Sequence, residues 1–256
     1  MTALDEIEDR GTLRVGLLVP YTNCNFEPDM TRLKPPSATL HSARLGGYDI
    51  DEIPGAEQMA GLGKAPLDEP IRLIAGVRPH AVLYGCTSAT LTHGRAFDQS
   101  LAETIGTACG AVSITAAGAL VKALATLGAS RVGFASPYLG EINEQAIAFL
   151  GDAGVHTVHC HDIGRALGNY GQGELQPDEV FELGKAANHA EAEAIVLSCT
   201  DMRSVEVIDA LERETGKPVV TSNQAMVFSL CDALDCRPPA RAPGALFKQL
   251  VCDKTT

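Results

Sequence analysis

The sequence predicts an α/β protein with parallel sheets, because short apolar runs alternate along the chain with stretches of helical pattern. The apolar runs are continuous and rich in Val and Ile, which is typical of strands that are buried on both faces. Hydrophobic residues make up 45% of the 256 positions, and charged residues make up 20%. A chain of this composition has enough apolar side chain for a packed core and is not disordered.

The predicted elements follow one another in a regular order. Seven apolar runs are predicted to form strands, at 14–20, 80–86, 110–114, 131–137, 155–160, 193–199 and 217–222. Four stretches between them are predicted to form helices, at 115–128, 143–154, 180–192 and 204–216. The first of these helices begins with Thr115 and stops at Gly128, residue types that cap the two ends of helices.

The two halves of the chain share three patterns in the same order. The pairs are RVGLLVPYTN (14–23) with RVGFASPYLG (131–140), AVLYGCTSAT (81–90) with AIVLSCTDMR (194–203), and AVSITAAGALVKAL (111–124) with PVVTSNQAMVFSL (218–230). Arg14 and Cys86 are 72 positions apart, and Arg131 and Cys199 are 68 positions apart. Any two α/β units share some likeness, but three ordered matches favour a duplication. The sequence therefore predicts two similar Rossmann-like lobes, each with a parallel sheet flanked by helices, related by pseudo-twofold symmetry.

Duplication also predicts where a ligand binds. Ligands of parallel α/β sheets bind beyond the carboxyl ends of the strands, and in two lobes related by a twofold these ends face one cleft. Helices after 114 and after 222 are expected to carry the chain between the lobes. The predicted lobes are therefore 1–114 plus 222–256, and 115–221. Residues 46–70 are rich in Gly, Pro and acids and are predicted to form a mobile loop with a short helix that closes over the cleft.

Composition argues against several classes of partner. The net charge is −12 and the pI is near 5.0. Nucleic acids and anionic membrane surfaces need basic patches, so neither is expected as a partner. No apolar run reaches the roughly 18–20 residues of a membrane span. The acidic N-terminal segment lacks the apolar region of a signal peptide, so a cytoplasmic location is expected.

The cysteines and histidines do not form a metal motif in the sequence. None of the eight cysteines forms a CxxC pair, which argues against a zinc ribbon or a thioredoxin-type motif. In a cytoplasmic chain a disulfide framework is not expected either. His156, His159 and His161 offer a conceivable metal site. They lie at the end of an ordinary predicted strand, however, so no metal is predicted.

Cys86 and Cys199 are the candidate catalytic residues, since each follows a predicted strand at the matching place of its repeat. A lone buried cysteine is usually a small hydrophobic residue, but the symmetric pairing favours a function. A thiol at a helix N-terminus is expected to have a lowered pKa. The following backbone N–H groups, with the hydroxyls of Thr87, Ser88 and Thr200, are natural donors to a carboxylate.

Two further uncharged donors occupy matching places at the predicted sheet edges. Asn23 follows the first strand in PYTN, and Tyr138 follows the equivalent strand in SPY. A turn asparagine or a core tyrosine is the ordinary interpretation of either residue alone. Their matching positions favour a role in ligand binding.

These residues together resemble the aspartate/glutamate racemase superfamily, within it the branch of maleate cis–trans isomerases and arylmalonate decarboxylases. The resemblance covers nearly the whole chain. It is carried by VPYTNCNFEPD, YGCTSATLTHG, SPYLGEINEQAIAFLGDAG, GNYGQGELQP, LSCTDMRSVEVIDALE and PVVTSNQA. It implies that Cys86 and Cys199 are catalytic. It also implies that the substrate carboxylates are bound by Asn23, Thr87, Ser88, Tyr138, Asn169 and Thr200.

The resemblance further implies a cofactor-independent enzyme that acts on a small carboxylate and forms a homo-oligomer. The leading expectation is a maleate-type cis–trans isomerase. The alternatives are an amino-acid or hydroxy-acid racemase that uses two-base proton transfer, a decarboxylase of the arylmalonate type, and a non-enzymatic ligand-binding protein. Arylmalonate decarboxylases have glycine where this chain has Cys86, which argues against decarboxylation. The pair Cys24-Asn25 also departs from the hydroxyl residues that are common in the first loop.

Overall fold

A computed structural model of the protein describes residues 11–46, 57–58, 61, 65–168 and 170–252. Its strands form two parallel sheets of four. The first sheet contains β1 (Leu13–Pro20), β2 (Ala38–Leu45), β3 (Ala81–Tyr84) and β4 (Val112–Thr115). The second contains β5 (Arg131–Ser136), β6 (His156–Asp162), β7 (Ala194–Leu197) and β8 (Val219–Thr221). The strand orders, β2-β1-β3-β4 and β6-β5-β7-β8, are the same, which confirms the predicted fold class.

The helices lie between the strands and after them. In chain order they are α1 (Phe26–Leu33), α2 (Asp68–Ala75), α3 (Thr87–Leu91), α4 (Gly94–Cys109), α5 (Ala116–Thr126), α6 (Gly140–Gly151), α7 (Gly171–Glu174), α8 (Pro177–Ala186), α9 (Ile208–Thr215), α10 (Ser222–Ala233) and α11 (Leu246–Cys252). A 3₁₀ turn, Val205–Val207, precedes α9. Within the described ranges no helix combines the length and the apolar character needed to cross a membrane.

All seven predicted strands and all four predicted helices are present, with ends that differ by a few residues. The helix predicted at 204–216 is divided into the 3₁₀ turn and α9. Strand β2 is absent from the predicted elements. It is an edge strand whose sequence, ATLHSARL, is polar at several positions and only partly buried, so it lacks a continuous apolar run.

Helices α5 and α10 connect the two sheets. Each follows the last strand of its sheet, each packs against the other, and each contacts both β4 and β8. Thr115 caps α5 by accepting a hydrogen bond from the N–H of Gly118, and Thr221 caps α10 in the same way from Gln224. Both helices belong to one apolar core that includes β1, β5 and β7. The strand ends of the two sheets are therefore held at a common boundary.

Two predicted features lie outside the described residues in whole or in large part. The predicted mobile loop at 46–70 is described only at 46, 57–58, 61 and 65–70. Asn169, predicted to bind a carboxylate, is not among the described residues.

Candidate active site

The two candidate cysteines lie at equivalent strand ends. Cys86 comes two residues after β3 and is the N-cap residue of α3, with an extended backbone (φ −136°). Cys199 comes two residues after β7. Both side chains are buried, at 5% and 2% exposure. Both residues are thus placed by the last residues of the central, fully buried strands of their sheets.

A chain of polar atoms connects the two thiols across the boundary between the sheets. Cys86 Sγ lies 3.9 Å from Ser88 Oγ. Ser88 Oγ donates to Tyr138 Oη at 3.4 Å, and Tyr138 Oη lies 3.4 Å from Cys199 Sγ. The structure therefore brings together four of the residues that the sequence places in the site, two from each repeat.

Asn23 binds the loop of the second cysteine from the first sheet. Its Nδ2 donates to Thr200 Oγ1 at 3.0 Å, and Thr200 Oγ1 donates to the carbonyl of Gly85 at 2.7 Å. The Oδ1 of Asn23 accepts from the backbone N–H groups of Asn25 and Phe26, at 3.1 and 2.8 Å. Asn23 therefore orders the start of α1 and holds the residue that follows Cys199.

Thr87 faces the helix that crosses between the sheets. Its hydroxyl donates to Ser222 Oγ at 3.0 Å, and both residues are buried. The proton of the Thr87 hydroxyl is therefore already donated to another protein group. The contact ties the start of α3 to the start of α10, so it fixes the helix turn that follows Cys86.

Burial dominates the electrostatics of both thiols. It raises the pKa of Cys86 to about 11, and hydrogen bonds from the N–H of Ala89 and from Ser88 oppose this rise only in part. It raises the pKa of Cys199 to about 12, and the charge of Asp201 adds to the rise. The predicted lowering of the thiol pKa is therefore wrong for the free protein, because desolvation outweighs the backbone donors.

Tyr138 is neutral between the two thiols. Burial raises its pKa well above the ordinary value, and the nearby Cys199 and Cys86 raise it further. A neutral hydroxyl can donate one hydrogen bond and accept another. It can therefore contact both thiols without adding charge to the site.

Two residues of this region, Asn25 and Asp201, are not among the predicted site residues. Asp201 Oδ1 accepts hydrogen bonds from the backbone N–H groups of Cys24 and Asn25, at 2.8 and 3.0 Å. Asn25 Nδ2 donates to the carbonyls of Gly173 and Asp201, at 2.9 and 2.8 Å. The available signal was a carboxylate directly after the second Cys-Thr and an amide two residues after Asn23, each an unusual polar residue in a buried motif.

A second buried carboxyl group, that of Asp29, stabilises the loop that follows Cys199. Asn223 Nδ2 donates to Asp29 Oδ2 at 2.7 Å and to the carbonyl of Thr200 at 3.0 Å. Burial raises the pKa of Asp29 to about 7, and the hydrogen bond from Asn223 opposes the rise. Asp29 on α1 and Asn223 on α10 thus hold the backbone of Thr200 from the side of the first sheet.

The histidines of β6 lie apart from this arrangement. The ring centroids of His159 and His161 are 6.4 Å apart, and those of His159 and His189 are 6.0 Å apart. Over the part of the chain that the structure describes, no group of three His, Cys, Asp or Glu side chains could hold a metal ion.

The fold and the site together define a class of protein. It has two similar parallel sheets, and one buried cysteine lies at a strand end of each sheet, on either side of the boundary between them. The chain belongs to the arylmalonate decarboxylase family, whose family model matches residues 15–247.

Two curated proteins illustrate the range of this family. Maleate isomerase of Nocardia farcinica is 29% identical over 245 residues, which cover 92% of this chain and 94% of that protein. Arylmalonate decarboxylase of Bordetella bronchiseptica is 27% identical over 210 residues, which cover 77% and 87%.

Solved structures show the same fold. A cysteine-to-serine mutant of Nocardia farcinica maleate cis–trans isomerase, with a covalently bound succinylcysteine intermediate, superposes with a TM-score of 0.83 at 25% identity, covering 93% of this chain and 99% of that one. Maleate isomerase of Pseudomonas putida S16 superposes with a TM-score of 0.82 at 24% identity, covering 92% and 98%.

Proposed function

We propose that this chain is a cofactor-independent cis–trans isomerase of a small dicarboxylate of the maleate type. The observation that carries the proposal is the contact of one buried cysteine from each repeat with a single polar chain, Ser88 and Tyr138. The similarity to maleate isomerases over more than nine-tenths of the chain supports the substrate class.

The reaction needs one thiol as nucleophile and one as proton donor. The sulfur of the first forms a bond to one alkene carbon, and the alkene electron pair moves to the other carbon and its carboxylate. The second thiol protonates that carbon and becomes a thiolate, and rotation follows about the new single bond. The thiolate then removes a proton from the same carbon as the C–S bond breaks, which gives the trans acid and restores the second thiol. Atoms and charge balance over the cycle, and no redox partner is needed.

We assign the nucleophile to Cys86 and the proton donor to Cys199. The pKa of Cys86 is raised less than that of Cys199, and the hydrogen bond from the N–H of Ala89 opposes the rise at Cys86. Cys199 lies beside the negative charge of Asp201, which adds to the rise of its pKa and favours the protonated thiol, while the hydrogen bond with Tyr138 opposes that rise only in part. Because both thiols are protonated at neutral pH in the free protein, ionisation of Cys86 accompanies addition to the substrate. The hydroxyls of Ser88 and Tyr138 offer a path for its proton towards Cys199.

The remaining site residues stay proposals with the roles that the resemblance implies. Thr87, Ser88 and Thr200 supply donors to the carboxylates, with Asn23, Tyr138 and Asn169. For Thr87 and Thr200 the donors are the backbone N–H groups, because their hydroxyls donate to Ser222 and to the carbonyl of Gly85. Donors placed in advance of the reaction are each worth about 3 kcal/mol in comparable oxyanion sites. The lobe boundaries, 1–114 plus 222–256 and 115–221, the homo-oligomer and the cytoplasmic location also stay predictions.

The alternative function is racemisation of an amino acid or hydroxy acid, and the same paired thiols favour it. In a racemase one thiolate removes the α-proton and the other thiol delivers a proton to the opposite face. Decarboxylation needs only one thiol as proton donor, so it leaves the second buried cysteine without a function.

One experiment separates these reactions. Purified protein is incubated in D₂O with maleate, with aspartate, glutamate and malate enantiomers, and with an arylmalonate, and the products are followed by ¹H NMR and chiral chromatography. We expect conversion of maleate to fumarate, with loss of activity in Cys86→Ser and Cys199→Ser but not in Cys109→Ser. Full turnover on every acid by both site variants would exclude the two-thiol mechanism. Deuterium on the α-carbon of an amino or hydroxy acid would instead establish the racemase.

A further inference from the structure

Asp201 stands at the junction of the two loops that border the candidate site. Its side chain is buried, at 8% exposure, although it carries a carboxyl group. Its Oδ1 accepts the backbone N–H groups of Cys24 and Asn25, so it binds the loop that carries Asn23. A buried carboxylate is costly unless hydrogen bonds compensate it, and here neutral N–H groups supply them rather than a cation.

Asn25 adds hydrogen bonds in the opposite direction between the same two loops. Its amide donates to the backbone carbonyls of Asp201 and Gly173. Gly173 fits closely, since a Cβ added there would lie 2.7 Å from Cys24 Sγ and 3.0 Å from Asp201 Oδ2. The first loop, the Asp201 loop and α7 are therefore joined by four directed hydrogen bonds in a space without room for a further side chain.

Asp201 also reaches the candidate proton donor. Its backbone N–H donates to Cys199 Sγ at 3.4 Å. One residue thus contacts a thiol through its main chain and the opposite sheet's loop through its side chain. A rigid link of this kind matters because displacement of a catalytic group by about 1 Å can cost 100-fold in rate.

We propose that Asp201 is a positioning residue, whose side chain fastens the loop that carries Asn23 to the loop that carries Cys199. This inference rests on the proposed function for its catalytic consequence, but the contact itself can be tested without any substrate. The amide of Asn25 is the complementary half of the same contact.

The charge of Asp201 affects the pKa of the nearby thiols, and a residue with a purely structural role would not have this measurable effect. The titratable groups that face it are Cys24, Cys86 and Cys199, and its charge raises the pKa of each of these thiols. Glu174 adds to the rise at Cys24. Burial raises the pKa of Asp201 itself to about 6, so it is ionised at pH 8. Removing the charge must lower the pKa of Cys199 and increase its thiolate fraction.

The test compares Asp201→Asn, Asp201→Ala and the matched control Asp178→Asn, which alters an exposed aspartate of α8. We expect kcat/KM for maleate to fall at least about tenfold in Asp201→Ala, because the acceptor is lost. We expect it to stay within about threefold in Asp201→Asn, whose Oδ1 can still accept both N–H groups. At pH 8 the rate of Cys199 alkylation by iodoacetamide, mapped by peptide mass spectrometry, should rise in Asp201→Asn above the rate in wild type and in Asp178→Asn, because removing the charge lowers the pKa of the thiol.

Several outcomes overturn the proposal. Unchanged kcat/KM in Asp201→Ala excludes the positioning role, and an equal loss in Asp201→Asn shows that the acceptor geometry is not what matters. An unchanged alkylation rate in Asp201→Asn excludes the coupling to Cys199. Should Asp201→Ala fail to fold, Asn25→Ala breaks the same contact from the other side and is expected to lower kcat/KM likewise. If the wild type does not isomerise maleate, the proposed function fails while the alkylation rates still decide on Asp201.

Discussion

The two halves of the candidate site occupy equivalent positions but have unequal surroundings. Cys86 is the N-cap residue of a helix, α3, and the N–H of Ala89 donates a hydrogen bond to its sulfur. Cys199 is followed by a loop in which Asp201 adds negative charge next to the thiol. The strand ends thus place the two cysteines symmetrically, whereas the residues after each cysteine give the two thiols different electrostatic surroundings. A duplicated fold can in this way give two chemically different thiols from one repeated motif.

Replacing each thiol in turn tests this difference most strongly. Cys86→Ala is expected to lower kcat for maleate isomerisation at least about 1,000-fold and to give no covalent adduct, because the nucleophile is lost. Cys199→Ala is expected to lose turnover but to accumulate a maleate adduct on Cys86, visible by intact mass spectrometry. Cys109→Ala, on α4, serves as the control and should turn over normally. An adduct on Cys199 in Cys86→Ala would reverse the assigned roles.

The hydroxyl between the thiols should matter less than either thiol. Tyr138→Phe removes the group that contacts both Cys199 and Ser88, and we expect kcat to fall about 100-fold, the lower end of the range for lost proton-transfer groups. KM should change less than kcat if the hydroxyl acts on proton transfer. A change confined to KM would show that Tyr138 only binds substrate.

The helices that follow the first strand of each sheet, α1 after β1 and α6 after β5, allow a comparison of stability. Asp29 on α1 and Asn143 on α6 are both buried polar residues, but only Asp29 can titrate. Because burial raises its pKa from 3.8 to about 7, the folded protein retains a proton that the unfolded chain loses. This contribution is fully present below about pH 4 and is lost as the pH rises through about 7.

Asp29→Asn should therefore flatten the pH dependence of unfolding. We expect the variant to gain on the order of 4 kcal/mol relative to wild type between pH 4 and pH 8, as measured by urea unfolding. Asn143→Ser leaves the titrating group in place and should keep the wild-type slope. A wild-type slope in Asp29→Asn would show that Asp29 is not the titrating group.

The helix caps should give the smallest difference between the halves. Thr115 accepts one hydrogen bond, from Gly118, whereas Thr221 and Gln224 form a reciprocal capping box. We expect Thr115→Ala to cost about 1 kcal/mol and Thr221→Ala about 2 kcal/mol in the free energy of unfolding. Serine at either position keeps the acceptor and should restore most of the loss. Equal costs would indicate that the box adds nothing at Thr221.

The sequence could predict the repeated parts of the molecule because buried parallel strands have a strong pattern. Strands β3 and β7 are continuous apolar runs with a Cys-Thr directly beyond them, and their likeness predicted both the sheets and the pairing of Cys86 with Cys199. Strand β2 was not predicted, because an edge strand with a half-exposed face does not need a continuous apolar run.

Two properties of the site depend on distances that the sequence does not contain. The direction of the thiol pKa shifts depends on how completely the folded protein excludes water from each sulfur. A local motif shows only the backbone N–H groups, which lower the pKa, and not the burial that raises it. The contacts of Asp201 and Asn25 join residues 176 positions apart, so the sequence around each residue does not show which partner it binds. The side chains that join the lobes are for this reason harder to predict than those that repeat within them.

The crossing of α5 and α10 has a consequence for biosynthesis. The strands of the second sheet are complete once residues 131–221 have left the ribosome, but α10, which packs against α1 and β4, is made only after all eight strands of the two sheets. Domains that emerge first usually fold first. Because α10 contacts both β4 and β8, the apolar surfaces of both sheets that it covers stay exposed until α10 has emerged.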